Sequence, residues 1–77
     1  MKIYTKEDCT KCTDLKTRLD KAGVEYEEEM YTECIHEVAD FLKANSHAIL
    51  PIMRFDDNKF VSNDQGLFKE LKERKIL

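Results

Sequence analysis

A small three-layer α/β sandwich is the fold this sequence predicts, with helices on both faces of a four-stranded mixed sheet in the order β-α-β-α-β-β-α. Three observations predict it. A β-branched and aromatic segment, Lys2-Ile3-Tyr4-Thr5, runs through a polar turn into a helical spacing of Cys12, Leu15, Leu19 and Ala22. Ile35, Val38, Ala39 and Leu42 then fall at i, i+3, i+4 and i+7, the clearest helical period in the chain. Further on, Asp56-Asp57-Asn58-Lys59 supplies turn residues between two short apolar runs, as a β-hairpin requires. A strand–helix–strand unit implies parallel pairing with a right-handed crossover, and the hairpin adds antiparallel strands.

Each element follows in order. Lys2 to Thr5 is the first strand. The first helix is expected from about Thr10 to Ala22, with Gly23 as its stop. Its apolar stripe leaves Lys11, Asp14, Arg18 and Lys21 to water, and it includes Cys12 but not Cys9, so Cys12 should be the more buried. Val24 to Met30 alternates for part of its length and reads as the second strand. Thr32 is the expected cap of the second helix, Glu33 falls in its first turn, and Asn45-Ser46-His47 ends it. Ile49 to Phe55 is the third strand, in which Pro51 belongs at the opening because it has no N–H to give a ladder. Lys59-Phe60-Val61 returns as the fourth. Ser62-Asn63-Asp64 is the cap signal for a last helix carried by Leu67, Phe68 and Leu71.

With 77 residues the chain is expected to be one domain, residues 1–77, with a thin core. An apolar fraction of 42% and a charged fraction of 38% suit a globular interior and a well-solvated exterior. Net charge is −3 with both signs interleaved, so no basic face for nucleic acid is evident. The longest apolar run, Ala48 to Met53, is far too short to span a membrane. Met1 is followed by a single lysine and a strand pattern instead of a signal-peptide pattern, which leads us to expect a cytoplasmic, reducing setting. No dimer surface is evident, so a monomer is expected. Three cysteines in a reducing setting point to redox or metal chemistry more than to a structural disulfide framework.

The chemistry centres on Cys9-Thr10-Lys11-Cys12, where the first strand hands over to the first helix. Orphan N–H groups and the positive end of the helix dipole stabilise a thiolate at that place. Cys9 is the expected nucleophile, helped by Lys6, Lys11 and a hydrogen bond from Cys12. Such motifs bring a thiol pKa from about 8.5 to roughly 3.5–7.5. Cys12 is the expected resolving thiol, closing a Cys9–Cys12 disulfide. The alternative is zinc, for which Cys34 and His36 would have to complete the set, but Cys-x-His is not a common ligand spacing. Cys34 otherwise reads as a free thiol near the first turn of the second helix, and His36 and His47 as surface residues. Tyr4, Tyr26, Phe55 and Phe60 read as aromatics packing on the sheet, not as a stacking platform for bases.

A strand, Cys-x-x-Cys, a helix and a later Ile49-Leu50-Pro51-Ile52 together resemble the thioredoxin fold, and its glutaredoxin branch in particular. Tyr4 to Cys12 is similar to the active-site segment of small bacterial glutaredoxins and NrdH-type redoxins, and the resemblance covers nearly the whole chain. It implies a dithiol–disulfide oxidoreductase with no tightly bound cofactor. It also implies a cis peptide bond before Pro51, beside the cysteine pair, with the Leu50 backbone offered to a bound peptide or glutathione. Lys6 and Lys11 would meet that ligand near Cys9, and Ser62, Asn63 and Asp64 would receive the γ-glutamyl end of glutathione. Glutathione or a thioredoxin reductase would supply electrons to a protein disulfide, such as that of ribonucleotide reductase. Thr10-Lys11 stands where glutaredoxins commonly have Pro-Tyr, and Ser62-Asn63 where they usually have Gly-Gly. The lost glycines put side chains on a surface where a ligand backbone would approach closely.

Overall fold

The computed structural model describes Met1–Leu77. Its elements are β1 (Lys2–Thr5), α1 (Thr10–Lys21), β2 (Glu27–Met30), α2 (Ile35–Ala44), β3 (Ile52–Arg54), β4 (Phe60–Ser62), a 3₁₀ turn over Asn63–Gln65 and α3 (Leu67–Glu73). The four strands form one sheet in the order β2-β1-β3-β4. β1 and β2 run parallel, with Ile3 opposite Glu28 and Thr5 opposite Met30. β1 pairs antiparallel with β3, and β3 with β4, so that Ile3, Met53 and Val61 lie side by side across the sheet.

Strand alternation divides the interior in two. Ile3, Met53 and Val61 point to one face, where they meet Leu15 and Leu19 of α1 and Leu67 and Leu71 of α3. Tyr4 and Ile52 point to the other, against Val38 of α2, the buried Cys34 and the partly buried Phe41 and Phe60. Helices therefore cover both faces of a mixed sheet, as a thioredoxin-like fold requires. No helix is long and apolar enough to cross a membrane.

Boundaries differ from expectation where backbone groups are already committed. β2 starts at Glu27, three residues later than expected, because the Val24 N–H closes the end of α1 on the Leu19 carbonyl at 3.0 Å. α1 ends at Lys21, and Ala22 is exposed instead of lying on the apolar stripe. Thr32 and Glu33 belong to turns: the Glu33 N–H donates to the Met30 carbonyl at 3.0 Å, and α2 begins only at Ile35 with Cys34 as its N-cap. Ile35 consequently projects to solvent, 46% exposed, although its spacing matches the apolar period. β3 is shorter than Ile49 to Phe55. The Ile49 N–H and carbonyl are bound to Asp64 and Asn63, leaving Pro51 ahead of the strand's first residue. β4 extends one residue further than expected, to Ser62. The last helix starts at Leu67 and not at the Ser62-Asn63-Asp64 signal, since Gly66 at φ 76° separates a 3₁₀ turn from α3.

Candidate active site

Cys9 is the N-cap of α1, with extended backbone at φ −106° and ψ 99°. Its sulfur accepts the Cys12 N–H at 3.1 Å, and its carbonyl accepts the Thr13 N–H at 3.1 Å, so the first turn of the helix closes on both ends of this residue. Asp8, at φ 53°, takes the left-handed conformation that Asp tolerates, which lets the chain leave β1 and enter the helix within a few residues. Cys9 and Cys12 are disulfide-bonded with their Cα atoms 5.2 Å apart. The two sulfurs are not equivalent. Cys12 is 2% exposed on the inner side of α1, while Cys9 is half-buried and borders open grooves.

One groove, of about 270 Å³, lies towards β3 and brings Lys6, Lys11 and Leu50 to Cys9 together with Ile49. The Leu50–Pro51 bond is cis and the Pro51 side chain is fully buried. The Leu50 N–H and carbonyl take part in none of the loop hydrogen bonds, so this short backbone edge is open. Ser62, Asn63 and Asp64 do not line the groove; they hold it from behind. Ser62 is wholly buried at the end of β4, and its hydroxyl donates to an Asp64 carboxylate oxygen. The same oxygen accepts the Ile49 N–H at 3.1 Å, and the Asn63 N–H donates to the Ile49 carbonyl at 3.0 Å. The Ser62 hydroxyl first, then the Ile49 N–H, hold the Asp64 pKa below the usual carboxylate range. The Asp64 carboxylate is thus engaged with its own chain through Oδ1, at the 3₁₀ turn that follows β4.

A second and larger groove, of about 620 Å³, opens on the other side of β1, towards β2. It shares Lys6, Asp8, Cys9 and Thr10 with the first and adds Cys12, Lys16, Glu28 and Met30. Lys16 on α1 and Glu28 on β2 form an ion pair at 2.9 Å, and the Thr5 hydroxyl donates to the same Glu28 oxygen at 3.2 Å. Sequence reasoning missed these residues. The signal was present in the alternation of Tyr26, Glu28 and Met30, which sets Glu28 on the α1 face once β2 pairs with β1.

Cys34 lies apart from this site. It is 8% exposed in the core under α2, and its sulfur stands 3.9 Å from the Lys2 ammonium. Burial pushes its pKa up, with a hydrogen bond to Glu37 acting in the same direction. His36 is exposed, and no three His, Cys, Asp or Glu side chains converge as a metal would need. Comparison of the chain with protein-family models, with curated proteins and with solved structures finds no match. The functional reading therefore rests on a small α/β fold carrying a Cys-x-x-Cys disulfide at a helix N-terminus, an arrangement suited to thiol–disulfide chemistry.

Proposed function

We propose that this chain is a dithiol–disulfide oxidoreductase of the glutaredoxin or NrdH-redoxin kind, reducing protein disulfides through Cys9 and Cys12. The observation that carries the reading is the asymmetry of the pair: an outer sulfur at the helix N-cap beside open grooves, and an inner sulfur behind it. In the reduced protein the Cys9 thiolate attacks one sulfur of the substrate disulfide. A Cys9–substrate disulfide forms, the substrate S–S bond breaks, and the departing thiolate takes a proton from water. Cys12 then loses its proton and attacks the Cys9 sulfur, releasing the second substrate thiolate. The substrate has gained two electrons, and the protein is left as the Cys9–Cys12 disulfide.

Two electron donors suit this chemistry. Lys6 and Lys11 beside Cys9 favour glutathione, whose carboxylate they would meet. Thr10-Lys11 between the cysteines, and Ser62-Asn63 where two glycines would leave room for a ligand backbone, favour a thioredoxin reductase. A cytoplasmic setting and a ribonucleotide-reductase-type protein disulfide as substrate belong to the same reading.

NADPH oxidation with a small disulfide tests it, run once with glutathione and glutathione reductase and once with thioredoxin reductase alone. The system that supports turnover identifies the donor, and there we expect complete loss with Cys9→Ser and a trapped mixed disulfide with Cys12→Ser, seen by intact mass. Near-normal dithiol activity in Cys9→Ser overturns the mechanism. About one zinc per chain, retained on purification and protecting Cys9 from alkylation, favours a non-catalytic binding module instead.

A further inference from the structure

Two grooves meet at one sulfur, and the leaving or flanking part of a substrate has to go somewhere. The groove towards β3 offers the Leu50 edge and the apolar Ile49, while the groove towards β2 is more than twice its volume and polar. Because β1 lies between β2 and β3 in the sheet, the two grooves flank Cys9 on opposite sides. An extended polypeptide paired with Leu50 on one side and reacting at Cys9 would have the second groove ahead of it, since both grooves border Cys9.

We propose that this second groove is a substrate-binding subsite for the polypeptide flanking the reactive cysteine of a protein disulfide, with Lys16 and Glu28 as its specificity-determining residues. The inference rests on the oxidoreductase reading above and names the substrate side of it. Glu28 is suited to the role because both of its internal partners, Lys16 and Thr5, bind the same oxygen, Oε2. Its Oε1 is left to accept a backbone N–H. The Lys16 ammonium spends one of its three donors on Glu28 and keeps others for a substrate carbonyl. Lys16 and Glu28 side chains are 33% and 38% exposed, so both reach the groove without a rearrangement of the fold. The charges lining the groove balance, Lys6 and Lys16 against Asp8 and Glu28, which suits a polar backbone segment better than a strongly charged ligand. A small thiol compound, or a tripeptide confined to the Leu50 side, leaves this groove empty.

The test uses the full chain and synthetic peptides whose single cysteine is disulfide-linked to 2-mercaptoethanol. One peptide carries three polar residues on both sides of the cysteine, and two carry them on one side only. We expect the two-armed peptide to react about tenfold faster in kcat/KM than the better one-armed peptide, the gain of two to three added hydrogen bonds. Lys16→Met and Glu28→Met should bring that ratio close to one by raising KM for the two-armed peptide, whereas Lys69→Met on α3 should not change the ratio. Thermal unfolding of each variant reports folding separately, and an exposed ion pair contributes too little to unfold the chain. A ratio near one in the wild type, or a tenfold ratio that survives both substitutions, overturns the subsite while leaving the oxidoreductase reading intact. Absence of reaction with all three peptides overturns both.

Discussion

Glu37 shows how much one side chain can organise in a chain this small. The Tyr4 hydroxyl donates to its Oε1 at 2.8 Å and the Lys2 ammonium at 3.0 Å, while Arg54 stands 3.5 Å away. These donors, Tyr4 first and Lys2 second, take its pKa down to about 2, and burial opposes them only in part. Burial, reinforced by Glu37, raises the Tyr4 pKa in turn. Titratable and charged groups face Glu37 from β1 (Lys2, Tyr4), from the α2 cap (Cys34) and from β3 (Arg54), with His36 beside it on its own helix. The sign follows directly. A carboxylate whose folded pKa is depressed contributes stability that is fully present above its unfolded value and lost as pH falls through the folded one. The stability carried by Glu37 is thus expected to fall between about pH 4.5 and about pH 2. Melting temperature against pH checks this: Glu37→Gln should melt lower than wild type at neutral pH and lose less on acidification. An acid limb as steep in the variant as in the wild type would refute the assignment.

At the scale of elements, the handover from α1 to β2 depends on one glycine. Gly23 at φ 70° gives its N–H to the Asp20 carbonyl at 3.1 Å, and Val24 reaches back to Leu19 at 3.0 Å, closing the helix with a two-bond cap. Space is not the constraint there, since a Cβ on Gly23 would meet nothing within 4 Å. The left-handed backbone is. Gly23→Ala should therefore destabilise by about 1 kcal/mol and Gly23→Asn by less, measured by urea unfolding. The helix stop was legible because glycine is a local signal. The start of α2 was not: Thr32 has the chemistry of a cap, but turn hydrogen bonds from Glu33 and Cys34 carry the chain past it. In the same way Ser62-Asn63-Asp64 has cap composition, yet Asp64 turns its carboxylate to Ile49 and the helix waits until after Gly66.

The whole molecule has two thin cores separated by one sheet, and this makes a quantitative claim about coupling. Ile3 belongs to the core shared by α1 and α3, and Ile52 to the core under α2. Each is fully buried, and their side chains leave the sheet on opposite faces. Ile3→Val and Ile52→Val should each cost about 0.5–1.5 kcal/mol, and the double variant should equal their sum within about 0.5 kcal/mol. Chemical denaturation of the three variants decides it. A larger departure from additivity would show that the sheet transmits strain between its faces. Neither core has redundancy, since a chain of this size supports only a few kcal/mol of net stability.

What the sequence by itself determined is the order of the elements, the mixed sheet with helices on both faces, and the Cys9–Cys12 pair at a helix N-terminus with Cys12 the inner member. These follow from the two local periods, two residues in a strand and 3.6 in a helix, and from chemistry within a few residues of chain. Only the tertiary structure placed Lys16 and Glu28 beside Cys9, where the sequence already points to Lys6, Lys11 and Leu50. The strand order β2-β1-β3 brings Leu50 to one side of it and Lys16 with Glu28 to the other, and it joins Lys2 and Tyr4 to Glu37 across more than thirty residues. Local pattern sets the face a side chain takes, while register and strand order set its neighbours, and those depend on pairings between distant segments that no short stretch encodes alone.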